Sequence, residues 1–140
     1  MKSLSCPPSA AVETPVLSRR PLRLETAPEA VRAPARGAVV SMAGTVRDSE
    51  AGEAISSIVY EAYEPMAERE IRAVVAEAEK TWGVAAWARH RLGRVPAGEA
   101  AVLVAAAGVH REEAFAACRY LIEQIKHRAP IWKTAFEKIR

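Results

Sequence analysis

At 140 residues, half of them apolar, the chain is long enough for one domain with a real core and short for two of ordinary size. Its net charge of +3 is a basic excess at both ends around an acidic middle, without the dense basic run and interleaved aromatics of a nucleic-acid-binding face. No stretch nears the roughly 20 consecutive apolar residues of a membrane span, and early prolines interrupt any signal-peptide core.

Residues 1–20, rich in Ser, Pro and Ala, read as a disordered tail ahead of a single domain over 21–140. "LRLET" (22–26) reads as a short strand and "APEAVRAPA" (27–35) as a brief helix or turn closed by prolines. "GAVVSMAGTVRD" (37–48) reads as a strand with small residues on one side, and "DSEAGEA" (48–54) as a polar turn. "ISSIVYEAY" (55–63) alternates as a strand, with Ile58, Tyr60 and Ala62 on one face and Val59, Glu61 and Tyr63 on the other. The clearest helix covers 64–83. Pro65 lies in its first turn, where a missing N–H costs nothing, and Glu64, Glu68 and Glu70 lie near the positive end of the dipole. Met66, Ile71, Val74, Val75, Ala78 and Trp82 recur at helical spacing, and Gly83 is the stop.

"VAAWARHRLGRV" (84–95) reads as a strand interrupted by charge, "PAGE" as a turn, and "AAVLVAAAG" (100–108) as a fully apolar, central strand. The second strong helix is "HREEAFAACRYLIEQIKHRAP" (110–130), with Phe115, Cys118, Ile122 and Ile125 as its apolar stripe and Ala114 and Leu121 alongside. Two substantial helices against a mostly antiparallel sheet make an α+β domain. The two cysteines, Cys6 and Cys118, form no disulfide framework or metal-ligand spacing, and Cys118 reads as a buried small hydrophobe. A soluble, cytoplasmic protein is expected, with neither nucleic acid nor membrane as partner.

The chemistry-bearing residues cluster late in the chain. Lys126 falls at the edge of the last helix's apolar stripe, where partial desolvation suits a proton-handling amine; a solvated lysine stabilising a helix C-terminus fits the same position. Pro130 ends that helix and should turn the chain so that Trp132 and Lys133 return beside it, Trp132 plugging the core or walling a pocket. His110 and Arg111 open the helix where free N–H groups favour anions, although a histidine also caps helices with no ligand at all. Arg47, near Gly44, can reach a phosphate or carboxylate, or pair with Asp48 or a neighbouring Glu.

The ordered combination of "GAVVSMAGTVRD", "YEAYEPMAEREI", "HRLGRVPAGEAAVLVA" and "VHREEAFAACRYLIEQIKHRAPIWK" resembles the large, catalytic subunit of molybdopterin synthase, from about Leu22 to Lys133. The resemblance implies an α/β-hammerhead-like domain with an additional antiparallel β subdomain, paired as a homodimer. It implies a small ubiquitin-like sulfur carrier as partner, giving a heterotetramer. The carrier's C-terminal Gly-Gly thiocarboxylate would thread into a pocket and pass sulfur to cyclic pyranopterin monophosphate, building the molybdopterin dithiolene. On the same resemblance Lys126 and Lys133 are the catalytic residues, and Arg47, His110 and Arg111 bind the anionic substrate. No metal and no cofactor in this protein is implied. The sequence departs from the family pattern at Thr134 and Ala135, where a basic residue and a glutamate are usual, and ends sooner than many members. That departure motivates the alternative of a non-catalytic module that binds the carrier or an anionic metabolite without turnover.

Overall fold

The computed structural model describes residues 15–139. Most of the expected tail, including Cys6, lies outside them. Residues 15–20, also assigned to the tail, belong to the fold: Val16 is buried, and β1 (Leu17–Ser18) pairs in parallel with β5 (Ala85–Arg91). "LRLET" is a turn and not a strand. The Thr26 N–H bonds to the Arg23 carbonyl, Leu24 points outward, and α1 (Thr26–Val31) begins there.

The main sheet runs β1-β5-β7-β2, with β2 Ala38–Thr45 and β7 Ala100–Gly108. Side chains alternate between faces along a strand, so a central strand covered on both sides must be apolar throughout. β7 meets that demand, every residue being buried. Val102, Val104 and Ala106 face α2 (Glu64–Trp82) and α3 (Arg111–Arg128). Leu103, Ala105 and Ala107 face α1 together with Trp87. The many alanines let the helices lie close to the sheet, and the core is lean in the large side chains such close packing excludes. A second sheet, β3 (Ser49–Glu50), β4 (Glu53–Ala62) and β6 (Gly93–Pro96), carries β8 (Ile131–Lys138) on β4, all antiparallel. Its own small core is Val46, Ile55, Ile58, Val95 and Ala101. An α+β domain with an added antiparallel subdomain is thus what the sequence folds into.

Helix α2 ends at Gly83, whose φ of 66° lies in the left-handed region that a side chain resists. Its buried residues are Ala67, Ile71, Val74, Val75 and Ala78; Met66 is turned to solvent. Helix α3 departs similarly from expectation. Its buried stripe is Ala114, Ala117, Cys118, Leu121 and Ile125, and Phe115 is exposed. Phe115 stands about 100° from the centre of that stripe on an ideal helix, too far to reach the sheet. Alanine rather than phenylalanine marks the packed face. Arg128 ties the two helices together, with Nε 3.0 Å from Glu70 and its terminal nitrogens on Glu77, which also accepts from the Tyr120 hydroxyl.

Candidate active site

A cleft of about 630 Å³ opens where the main sheet, the end of α3 and the second sheet meet. One transverse row of the main sheet lines its floor. Gly44 on β2 pairs with Val102 on β7, and Val102 pairs with His90 on β5; all three line the cleft. Gly44 is required for this close layer, since a Cβ there would lie 2.7 Å from Val102 Cγ1. A register shift follows at Gly44/Thr45, a bulge that redirects the strand and carries Arg47 to the rim.

The walls come from the last helix and the strand after it. Ile122, Ile125 and Lys126 of α3 form one side. Ala129 is extended (φ −76°, ψ 126°) ahead of Pro130, its N–H still bonded to the Ile125 carbonyl. The Pro130 carbonyl accepts from the Tyr63 N–H at the start of α2, which pins the turn. The chain then runs antiparallel to β4, placing Ile131 opposite Ala62, Trp132 opposite Glu61 and Lys133 opposite Tyr60. Ile131, Trp132, Lys133 and Tyr60 all line the cleft. The sharp return expected at Pro130 is therefore present, and Trp132, 46 % exposed, walls the pocket and does not plug the core.

Of the five residues nominated from sequence, the fold gathers Arg47, Lys126 and Lys133 around this cleft. No Asp or Glu lines it, and neither lysine forms an ion pair with a carboxylate among the described residues. Lys133 Nζ lies 5.8 Å from the centroid of the Phe136 ring, and Arg47 reaches Glu50 at 3.5 Å while remaining largely exposed. Lys126 is exposed, which fits the solvated reading of the two that its sequence position allows: it sits about 120° from the buried stripe of α3, beside the half-buried Ile122.

His110 and Arg111 are elsewhere. They begin α3, fifteen positions before Lys126 for Arg111, about 22 Å away along the helix axis. The first turn there carries Glu112 and Glu113, and the Glu113 carboxylate accepts the His110 N–H at 3.0 Å. Within one chain these residues do not join the cleft.

Sequence reasoning missed Tyr60 and His90. Tyr60 packs in part against the small core of the second sheet and also lines the cleft, whereas Tyr63 and Met66 are exposed. His90 continues the face of β5 that carries Ala86 and Ala88 against the helices, and is only 9 % exposed. Burial pushes its imidazole down to about 4, opposed by its bond to the Arg91 carbonyl and reinforced by the positive charge of Lys126. A histidine extending an alanine face was the available signal. Cys118 is buried, and burial pushes its thiol up to about 11, which suits packing and not sulfur relay. Among the described residues no group of three or more His, Cys, Asp or Glu is placed to hold a metal ion, and no helix is long and apolar enough to cross a membrane.

Fixed cations around a cleft lined by no carboxylate give it a positive electrostatic character, the setting that favours anions. Comparison with known proteins gives the chain its family. The MoaE protein family model matches residues 17–128, and the chain belongs to the MoaE family. It is 45 % identical over 115 residues to the molybdopterin synthase catalytic subunit of Nostoc sp., covering 81 % of this chain and 70 % of that protein. It spans about half the length of a rice relative with the same name, 54 %, at 48 % identity over 74 % of this chain. The crystal structure of molybdopterin synthase from Staphylococcus aureus superposes with a TM-score of 0.79 at 36 % identity, covering 84 % of this chain and 86 % of the other. A complex of subunits 1 and 2 of the molybdopterin-converting factor from Helicobacter pylori superposes at 0.63 with 27 % identity, covering 76 % and 73 %.

Proposed function

We propose that the chain is the catalytic subunit of a molybdopterin synthase. It would move sulfur from the C-terminal thiocarboxylate of a small ubiquitin-like carrier to cyclic pyranopterin monophosphate, forming the dithiolene in the cytoplasm. The observation that carries this reading is the convergence of Arg47, Lys126 and Lys133 on one cleft without a carboxylate, in a member of the MoaE family. The thiocarboxylate and the cyclic phosphate repel each other, and preorganised cations offset that repulsion as the two approach. An extended Gly-Gly tail has no side chains to obstruct its passage past Trp132.

Lys126 is assigned the protons that move as sulfur adds to the pterin side chain and the spent carboxylate departs. Lys133 holds the carrier's terminal carboxyl group, and Arg47 at the rim attracts the phosphate. His110 and Arg111 are too distant to serve their own chain's cleft, so a part in phosphate binding and ring opening requires the second copy of a homodimer. With a carrier on each protomer the assembly is a heterotetramer. Thr134 and Ala135, the departures from the family pattern, lie on β8 beyond the cleft lining, Thr134 Oγ1 donating to the Val59 carbonyl at 3.3 Å. Their position favours turnover over the non-catalytic module.

The test is to incubate the protein with thiocarboxylated carrier and cyclic pyranopterin monophosphate. Dithiolene product supports the reading; carrier binding without product overturns it in favour of the module.

A further inference from the structure

The cationic side chains account for the anionic parts of a ligand and leave unexplained the one buried imidazole on the cleft floor. The His90 ring is nine-tenths buried and meets the Tyr60 ring edge-on at a centroid distance of 5.2 Å. Its Nδ1 is 2.7 Å from the Arg91 carbonyl oxygen. A carbonyl only accepts, so Nδ1 carries the proton and Nε2 of the neutral ring carries a lone pair. No hydrogen-bond donor meets Nε2 among the described residues. Arg91 Nε is the one side-chain nitrogen or oxygen among the described residues that is both sealed from solvent and unpaired, so Nε2 keeps some access, and His90 lines the cleft. A polar atom held this firmly and left unpaired is set for a donor on a ligand.

The other cleft nitrogens, on Arg47, Lys126, Lys133 and Trp132, are donors that suit anions. Nε2 is the complementary group, an acceptor aimed at a neutral N–H. We propose that His90 Nε2 accepts a hydrogen bond from a ring N–H of the nitrogen heterocycle bound in the cleft, and so fixes which way round that substrate lies. The inference rests on the proposed pterin substrate and adds a residue that selects it. Two sources could supply the N–H: the heterocycle or the peptide backbone of the carrier's tail. The position, nine-tenths buried and against the edge of the Tyr60 ring, favours a compact ring. Burial keeps the imidazole neutral at physiological pH, so Nε2 remains an acceptor.

Asparagine and glutamine separate the two ring nitrogens. In His90→Asn the side-chain amide reaches the Nδ1 position and can keep the bond to Arg91, but the cleft acceptor is lost. In His90→Gln the amide reaches the Nε2 position and can keep the acceptor. Binding of cyclic pyranopterin monophosphate to folded protein, measured by calorimetry without carrier, should weaken about tenfold in His90→Asn and much less in His90→Gln. Affinity for carrier ending in an ordinary carboxylate should be unchanged in both. The reverse ranking, with Asn retaining affinity and Gln losing it, assigns His90 a structural role through Arg91 and overturns the proposal. Equal affinity of wild type and His90→Asn overturns it too, as does a loss of carrier affinity alone, which would make the tail the donor. If either variant does not fold, His90→Phe, which removes both nitrogens, takes its place and must also lose about tenfold. A wild type that binds the pterin but makes no dithiolene defeats the sulfur-transfer reading and leaves this inference to the binding comparison. A wild type that does not bind the pterin overturns both.

Discussion

Lys133 stands directly across the β4–β8 ladder from Tyr60. Pro130 makes this possible. It stops α3 just beyond Lys126 and sends the chain back along β4 within three residues, so two lysines seven positions apart enter one cleft from a helix and a strand. A continuous helix would place Lys126 and Lys133 on one face but about 10 Å apart, with no second wall between them.

The floor of the cleft depends on Gly44. In Gly44→Ala the new methyl would lie 2.7 Å from Val102 Cγ1, and the strand or the valine must shift. A loss of about 1–3 kcal/mol is expected, read as a lower melting temperature and denaturant midpoint. Unchanged melting would mean that the layer is looser than its geometry indicates.

Stability should fall with acid in a window set by His90. Its folded value, about 4 against an ordinary 6.5, is depressed chiefly by burial, with Lys126 adding to the effect; the facing groups are Tyr60, the Arg91 carbonyl and Lys126. The unfolded chain binds the proton more readily, so this contribution is complete above pH about 6.5 and is lost as pH falls toward 4. The shift is worth at most about 3 kcal/mol. Carboxylates held low by their partners, such as Glu77 beside Arg128 and Tyr120, act mainly below that window. Denaturant midpoints of wild type and His90→Gln at pH 7 and pH 5 check this. The wild type should lose more on acidification, and equal losses would contradict the assignment.

Cys118 should resist alkylation. With its thiol raised to about 11 and its side chain buried, the thiolate at pH 8 is about a hundredfold scarcer than at an ordinary site. Iodoacetamide labelling of the Cys118 peptide should be at least that much slower in native than in denatured protein. Rapid native labelling would reopen the question of a sulfur relay.

Much of this was legible in the sequence. "AAVLVAAAG" could only be a strand covered on both faces, and Pro65 and Gly83 bracketed α2 because each acts on the local backbone. The lysine pair and Arg47 followed from the chain's recognisable pattern, and the fold brings them together. Phe115 and Met66 were misplaced because hydrophobicity was weighed above packing: a sheet this rich in alanine takes alanines from the facing helix and leaves larger groups outside. β1 was hidden because a two-residue parallel pairing leaves no period to read. Tyr60 was hidden because its place depends on a bulge and a strand pairing between distant segments, whereas His90 left one trace, a histidine extending an alanine face.

The proposed homodimer, with Arg111 of one copy serving the cleft of the other, makes a prediction of its own. Lys126→Ala and Arg111→Ala should each be nearly inactive. Mixed and allowed to exchange subunits, they should recover about a quarter of wild-type activity, since half of the dimers then carry one intact site of two. No recovery despite exchange would place Arg111 outside the reaction.

The most direct test is single-turnover sulfur transfer by Lys126→Ala. Lys126 is exposed and forms no ion pair with a carboxylate among the described residues, so the variant should melt as the wild type does and bind carrier with the same affinity. Its rate of dithiolene formation should fall by about 10²–10⁴. A folded, carrier-binding Lys126→Ala that transfers sulfur at the wild-type rate would contradict the account.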